Sequence, residues 1–216
     1  PEGRYSTAKM AVALIDCNYC PPGTWSDEAG MMDPRKCKGC SVDTASSSSG
    51  LIEPCSSCKP GMTTNKKVGQ MSCEECASGF YQKTDEISRV CPKCPNGYVS
   101  FGGDTSCSIC HAGFYSNINL TKCVPCDAGK YNHEEAKSIT DDMSLVCKPC
   151  PAGTYSSASG VSNILDCNNC APGKYNNTEG SISSKYCVDC EMNFNSDEGS
   201  SSCLECGTGK KSKKGS

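Results

Sequence analysis

The chain has 216 residues and a formal net charge of −3, which implies no strongly charged partner such as a nucleic acid. Aromatic residues make up 6% of it and its mean hydropathy is negative, a composition typical of an exposed stalk rather than of a globular enzyme. Its 22 cysteines are about a tenth of all residues, which is the level of a disulfide scaffold.

The first residues resemble the end of a repeat. The opening string PEGRYS matches PAGTYS, which follows Cys150, so a cysteine is expected before Pro1. Residues 1–16 are therefore predicted to be the C-terminal part of a truncated repeat. Within them the longest apolar run, Met10 to Ile15, is too short to span a bilayer and is predicted to be a buried or edge strand. Any membrane attachment is expected only through parts of a longer parent chain.

Every cysteine belongs to a Cys-x-x-Cys pair, and eleven pairs run from Cys17/Cys20 to Cys203/Cys206. The loops between pairs vary from 12 to 20 residues, as expected where covalent cross-links rather than loop length hold the fold. Residues 17–206 are therefore predicted to be ten tandem cysteine-rich repeats, and residues 207–216 the start of a further truncated repeat. Such small units need covalent cross-links because they cannot bury a sizeable hydrophobic core.

Zinc ribbons are the alternative use of paired Cys-x-x-Cys motifs, and several spacings here would suit them. Eleven pairs, however, cannot be divided into four-cysteine sites without a remainder, and the intervening residues are mostly Ser, Asn, Thr, Gly and Lys. The pattern therefore favours disulfides, an oxidising compartment, and an extracellular or cell-surface location. No metal, cofactor-binding or catalytic residue is predicted.

The residues that follow each second cysteine share the pattern Cys-x-x-Gly-x-Tyr-Ser/Asn. The third place is expected to need a left-handed backbone, since its two exceptions, Asp43 and Asn193, are residue types that tolerate one. The aromatic residue two places later is predicted to pack on the disulfides, and a ligand contact is the alternative. A second glycine lies further along several loops, and each unit is predicted to be a strand, a turn and a strand. The glycines of the third place are Gly23, Gly61, Gly79, Gly97, Gly113, Gly129, Gly153, Gly173 and Gly209, and the aromatics are Trp25, Tyr81, Tyr115, Tyr131, Tyr155 and Tyr175.

Cysteine counts do not fix connectivity. The two ends of the sequence favour a scheme in which the second cysteine of each pair joins the first cysteine of the next, leaving Cys17 and Cys206 for partners outside it. An interlaced scheme that links alternate pairs stays open. The favoured scheme predicts Cys20–Cys37, Cys40–Cys55, Cys58–Cys73, Cys76–Cys91, Cys94–Cys107, Cys110–Cys123, Cys126–Cys147, Cys150–Cys167, Cys170–Cys187 and Cys190–Cys203.

The strings CPAGTYSSASG from Cys150 and CAPGKYNNTEG from Cys170 resemble the ephrin-receptor-like cysteine-rich repeat. They are more distantly similar to the first submodule of tumour-necrosis-factor-receptor (TNFR) cysteine-rich domains, and the serial array is similar to the surface immobilisation antigens of ciliated protists. The resemblance covers essentially the whole chain and is strongest from Cys110 to Cys190. It implies an extracellular, elongated, mostly β array of short two-stranded hairpins with little or no helix, and it does not choose between receptors, coats and appendages.

Two sequons predict N-linked glycans, one at Asn119 and one at Asn176. The only histidines, His111 and His133, lie in unlike loop settings without a nucleophile motif, so the chain is predicted not to be an enzyme. The first functional hypothesis is a structural one: a stapled rod in a coat, filament or appendage that self-associates. The second is the ligand-binding ectodomain of a TNFR-like or ephrin-receptor-like receptor, whose partners are other extracellular proteins. A protist surface antigen is the third.

Overall fold

The computed structural model describes residues 1–8, 17–84, 89–208 and 210–215. The predicted strand Met10 to Ile15 and the glycine Gly209 lie outside these residues. The chain divides into two compact units. The first holds Pro1–Cys94 and Ser100–Cys107, and the second holds Pro95–Val99 and Ser108–Ser216.

Short antiparallel hairpins make up the described chain, and the predicted fold class is confirmed. In most of them the first strand follows the glycine position, and the second contains the two residues between the next pair of cysteines. The paired strands, numbered β1 to β15 and β17 to β23 in chain order, are Arg4–Tyr5 with Asn18–Tyr19, Thr24–Trp25 with Lys38–Gly39, Thr44–Ala45 with Ser56–Ser57, Met62–Thr63 with Glu74–Glu75, Lys83–Thr84 with Arg89–Val90, Tyr98–Val99 with Ser108–Ile109, Phe114–Ser116 with Cys123–Pro125, Lys130–Tyr131 with Lys148–Pro149, Thr154–Tyr155 with Asn168–Asn169, Lys174–Tyr175 with Val188–Asp189, and Phe194–Asn195 with Leu204–Glu205.

Two places depart from this plan. Between Cys76 and Cys94 the hairpin forms nearer the loop tip, and a single antiparallel bridge from Phe80 to Lys93 takes the usual strand position. One further strand, β16 at Lys137–Ser138, adds in parallel to β13. Parallel bridges of the same kind join other successive hairpins, as from Tyr131 to Val161.

Single helical turns close several loops just before the first cysteine of a pair. Each starts at a polar residue whose side chain accepts a hydrogen bond from the second backbone N–H of the turn, as expected of an N-cap. The capping residues are Asp33, Asn163 and Ser183 for the 3-10 turns, and Asp142 for α1. The turns are Pro34–Lys36, Ile164–Asp166 and Ser184–Tyr186, and α1 is Met143–Val146.

Ten disulfides bridge these loops, each joining the second cysteine of one pair to the first cysteine of the next. The bonded cysteines lie 13 to 21 residues apart in sequence, with Cα–Cα distances of 5.4 to 5.9 Å. The cysteine that begins each bridge, which is the second cysteine of its Cys-x-x-Cys pair, is at most 4% exposed. Sulfur therefore occupies the place that aliphatic side chains fill in a larger core.

We define a module as the residues from one second cysteine to the residue before the next one, and name it by its first cysteine. The Cys150 module shows how modules interlock. Its Gly153 N–H donates to the Asn176 carbonyl of the following module at 2.6 Å, and its Cys150 carbonyl accepts from Gly180 at 2.8 Å. The carbonyl oxygen of Gly199, two modules further on, lies 1.9 Å from where a Cβ of Gly153 would be. Each of these contacts recurs in both compact units, so a module contacts the next two.

Candidate binding grooves between modules

The Ser or Asn that ends the repeated pattern is a buried connector between modules, a role that the sequence analysis missed. Asn176 is 2% exposed, and its Nδ2 donates to the Thr154 carbonyl at 3.0 Å and to Ser181 Oγ at 2.9 Å. Its backbone N–H donates to the Ser200 carbonyl. The recurrence of Ser or Asn after each aromatic was the available signal. Equivalent residues at most 8% exposed are Ser6, Ser26, Thr64, Gln82, Ser100, Ser116, Asn132, Ser156 and Ser196.

The half-buried aromatics lie between one module and the next. Tyr115 packs, as Met143 does, against the buried cluster of Cys126, Val146 and Cys147, which includes both cysteines of the following module's disulfide. This agrees with the predicted packing on sulfur and adds which disulfide is meant. Burial of such a ring supplies apolar area that small modules otherwise lack.

Beside the aromatic position, a groove opens between successive modules. In the Cys150 module the groove is lined by Tyr155 and Asn169, and in the following module by Ala171, Lys174 and the Cys170–Cys187 disulfide. Its volume is about 290 Å³. The lining residues occupy fixed places in the repeat: the aromatic position, the residue before a second cysteine, and the first and fourth residues after it.

The same places form a second groove one module further on. Tyr175, Val188 and Phe194 supply its apolar surface, and Glu191 stands at its edge, around about 320 Å³. Val188 is 53% exposed and Phe194 36%, so the apolar surface is open to solvent. Lys174 lies 2.5 Å from the carboxylate of Asp189, and this hydrogen bond lowers the pKa of Asp189.

A third groove, with Ala45 at the aromatic position, is wider at about 460 Å³. Ser57, Lys59 and Met62 occupy the places that Asn169, Ala171 and Lys174 hold in the Tyr155 groove. The Cys58–Cys73 disulfide and the exposed side chain of Met71 complete the lining.

A buried polar network lies beside this third groove and accounts for Asp43, which has the predicted left-handed backbone with a φ of 59°. Asp43 Oδ1 accepts from the Thr63 hydroxyl at 2.8 Å and from the Thr64 N–H at 3.2 Å, while Oδ2 accepts from the Arg89 N–H at 2.7 Å. Arg89 also donates to the Cys58 carbonyl. Burial raises the pKa of Asp43, but these hydrogen bonds together lower it below its ordinary value.

The structure brings the two members of each predicted cysteine pair together, and leaves Cys17 and Cys206 unbonded and partly exposed.

The two predicted glycosylation sites differ in exposure. Asn119 is exposed in a turn. The buried Asn176 is different, because a glycan would replace one of the two hydrogens that its Nδ2 donates, and a residue 2% exposed leaves no room for a sugar. The histidines lie at the surface, with His111 Nδ1 3.1 Å from Glu135.

Within the described ranges there is no cluster of three or more His, Cys, Asp or Glu suited to a metal ion. The helices of these ranges lack the length and apolar character that crossing a membrane requires.

No family model matches the chain. It is 28% identical over 159 residues to rat "Sushi, von Willebrand factor type A, EGF and pentraxin domain-containing protein 1", covering 70% of this chain and 4% of that protein. It is 28% identical over 170 residues to "Cytokine response-modifying protein B" of Variola virus, covering 72% of this chain and 43% of that protein. It is 32% identical over 143 residues to "Soluble TNF receptor II" of Monkeypox virus, covering 65% of this chain and 33% of that protein.

The chain therefore spans less than half the length of each of these relatives, and the similarity concerns its cysteine-rich repeats. These repeats are TNFR-like, and with their disulfides they indicate an extracellular or cell-surface protein. The relatives include receptors, which are binding proteins rather than enzymes.

Proposed function

We propose that this chain is part of an extracellular binding protein that recognises a protein ligand through the grooves between its modules. The observation that carries the proposal is the similarity to soluble TNF receptors over about two thirds of the chain. The Tyr175 groove supports it, because an apolar surface rimmed by charge is the usual form of a protein interface. The ligand class that follows from these relatives is a cytokine.

Binding of a panel of TNF-type cytokines, measured by surface plasmon resonance, tests the proposal. We expect one member to bind saturably, and Phe194→Glu to weaken that binding at least tenfold because it places a charge in the Tyr175 groove. Leu165→Glu is the matched control, since Leu165 is 85% exposed and does not line the groove. Equal loss in both variants, or no saturable binding by any member, counts against the proposal.

The structural hypothesis remains the second candidate, and one observation favours it. Large apolar side chains are exposed on successive modules of the second unit, including Leu165 at 85%, Ile182 at 50% and Met192 at 68%. Such side chains suit packing of one copy against another in a rod, coat, filament or protist surface layer. Fibres in negative-stain micrographs and mass growth on sedimentation would favour this function. A monomer at high concentration would favour the receptor, including its ephrin-receptor-like form.

We infer further that the folded protein carries its N-linked glycan at Asn119 and not at Asn176. Secretion from mammalian cells followed by glycosidase treatment tests this. We expect Asn119→Gln to abolish the mobility shift on deglycosylation, and Asn176→Gln to leave it unchanged while lowering secretion, because Asn176 joins two modules. A shift that disappears only in Asn176→Gln contradicts the inference.

A further inference from the structure

The three grooves are the same site built with different side chains. Tyr155, Tyr175 and Ala45 occupy one place in the repeat, and in each case the disulfide of the following module contributes to the lining. The three grooves can therefore be compared at each of the places that they share.

At the aromatic place, two of the grooves have a tyrosine ring and the third has only the methyl group of Ala45. With tyrosine at this place the groove volumes are about 290 and 320 Å³, and with Ala45 the volume is about 460 Å³. The backbone at Ala45 is nevertheless held as elsewhere, since Ala45 pairs with Ser56 and bridges to Gln70 of the next module. The Ala45 groove therefore keeps the backbone arrangement of the tyrosine-containing grooves but lacks an aromatic side chain at this place.

The remaining surface suits an aromatic guest. Met62 and Met71 present flexible thioethers, and the Cys58–Cys73 disulfide presents sulfur. Sulfur and methionine contacts with aromatic rings are favourable and tolerate small differences in ring position. The hydroxyl groups of Ser46, Ser56 and Ser57 line the same groove and can accept a hydrogen bond from a phenol hydroxyl or donate one to it.

The charge at the groove edge differs as well. The first residue after the second cysteine is Lys59 in the Ala45 groove, Ala171 in the Tyr155 groove and Glu191 in the Tyr175 groove. Among the residues that the structure describes, Lys59 alone lines the Ala45 groove with a formal charge, so that groove favours a guest with a neighbouring carboxylate.

We propose that the Ala45 groove binds a tyrosine side chain of a partner protein, presented next to an acidic residue. The proposal rests on the proposed binding function and names the segment that this groove takes. The guest ring occupies the space that the chain's own tyrosine takes in the Tyr155 and Tyr175 grooves, and the carboxylate pairs with Lys59.

Methionine methyl NMR on the intact protein tests the site with N-acetyl-Asp-Tyr-amide as the probe. We expect saturable shifts of the Met62 and Met71 methyl signals, with the Met143 signal unchanged because that side chain packs in another cluster. N-acetyl-Asp-Ala-amide should bind at least about tenfold more weakly, since it lacks the ring. N-acetyl-Lys-Tyr-amide should also bind more weakly, since it lacks the carboxylate.

Two variants and one control locate the binding. Ala45→Tyr fills the groove and should weaken the probe at least about tenfold. Lys59→Glu, an exposed substitution that leaves the fold intact, should reverse the preference between the Asp-Tyr and Lys-Tyr probes. Ala45→Ser keeps a small side chain and should bind as the native chain does.

Absence of saturable shifts in the native chain overturns the proposal, as does equal binding by Ala45→Tyr or by the Asp-Ala probe. Shifts of Met62 and Met71 that depend on protein concentration without probe would show a second copy in the groove, and would also overturn it. Probe binding without any cytokine binding would count against the proposed function while leaving the groove assignment standing.

Discussion

The glycine three residues after each second cysteine is required by backbone conformation and by space together. Gly153 has a φ of +90°, which side chains other than glycine rarely adopt. The Gly199 carbonyl oxygen also lies 1.9 Å from the place of a Cβ on Gly153. Asp43 and Asn193 satisfy the first requirement, with φ values of 59° and 70°. The repeated glycine is therefore a contact point between modules as well as a turn residue.

This distinction is testable with two alanine substitutions. Gly153→Ala should destabilise the protein by more than the ~1–2 kcal/mol of a left-handed alanine, because the Gly199 backbone must also move. Gly30→Ala is the control, since Gly30 has a φ of +75° but nothing within 4 Å of its would-be Cβ. Denaturant unfolding with the disulfides intact measures both. Equal losses of unfolding free energy in the two variants would show that backbone conformation alone accounts for glycine at position 153.

The Asp43 network predicts a pH dependence. The pKa of Asp43 is lowered in the folded chain, so its stabilising contribution is fully present above the unfolded value of about 4 and is lost as pH falls through the lower folded value. Asp43→Asn keeps the left-handed tolerance but loses the charge and one acceptor. We expect it to cost about 1–3 kcal/mol at pH 7, and progressively less as the pH falls below about 4, measured by urea unfolding over a series of pH values. A cost that does not change with pH would contradict this role. Asp33→Asn, at the exposed cap of a loop turn, is the control and should cost less at pH 7.

At the level of the element, the hairpins could be predicted and their connections could not. Regular Cys-x-x-Cys spacing predicts both the strands and the loops that the disulfides close, because one strand of most hairpins consists of the two residues between paired cysteines. The acceptor of a buried side chain such as Asn176 depends on how modules stack, and no local period in the sequence encodes that. The grooves were missed for the same reason, since each is built from two modules.

Comparing two disulfides with different surroundings tests how much packing of the sulfur atoms adds to the stabilisation that comes from closing the loop. Removing Cys150–Cys167 as a double alanine variant should cost at least about 3 kcal/mol, the chain-entropy value for a loop of this length, since its sulfurs are also buried. Removing Cys126–Cys147 should cost more, because those sulfurs pack with Val146 and Tyr115 and their loss leaves a cavity. Chemical unfolding of the two variants gives the comparison. A smaller loss for Cys126–Cys147 would show that the cluster adds no stability.

At the level of the whole molecule, the contacts between described residues reach the next two modules, which makes the chain quasi-one-dimensional within each unit. In such an array stability is close to a sum of module terms and interface terms. A module can then be removed without loss of the fold if its neighbours offer the same donors and acceptors to each other. The Cys170 module meets this condition: Ser196 of the following module accepts from Gly173 in the native chain and can accept from Gly153 instead.

Deletion of residues 170–189 should therefore give a folded, secreted protein that keeps the Cys150–Cys167 and Cys190–Cys203 bridges. Peptide mapping by mass spectrometry without reduction measures the bridges, and thermal unfolding should stay cooperative at a lower midpoint. The control deletes residues 170–180, which removes Cys170 and leaves Cys150 with two candidate partners, Cys167 and Cys187; mixed bridges are expected there. Mixed bridges in the whole-module deletion would mean that contacts beyond the second neighbour specify the pairing, and that a module does not carry the information for its own disulfide.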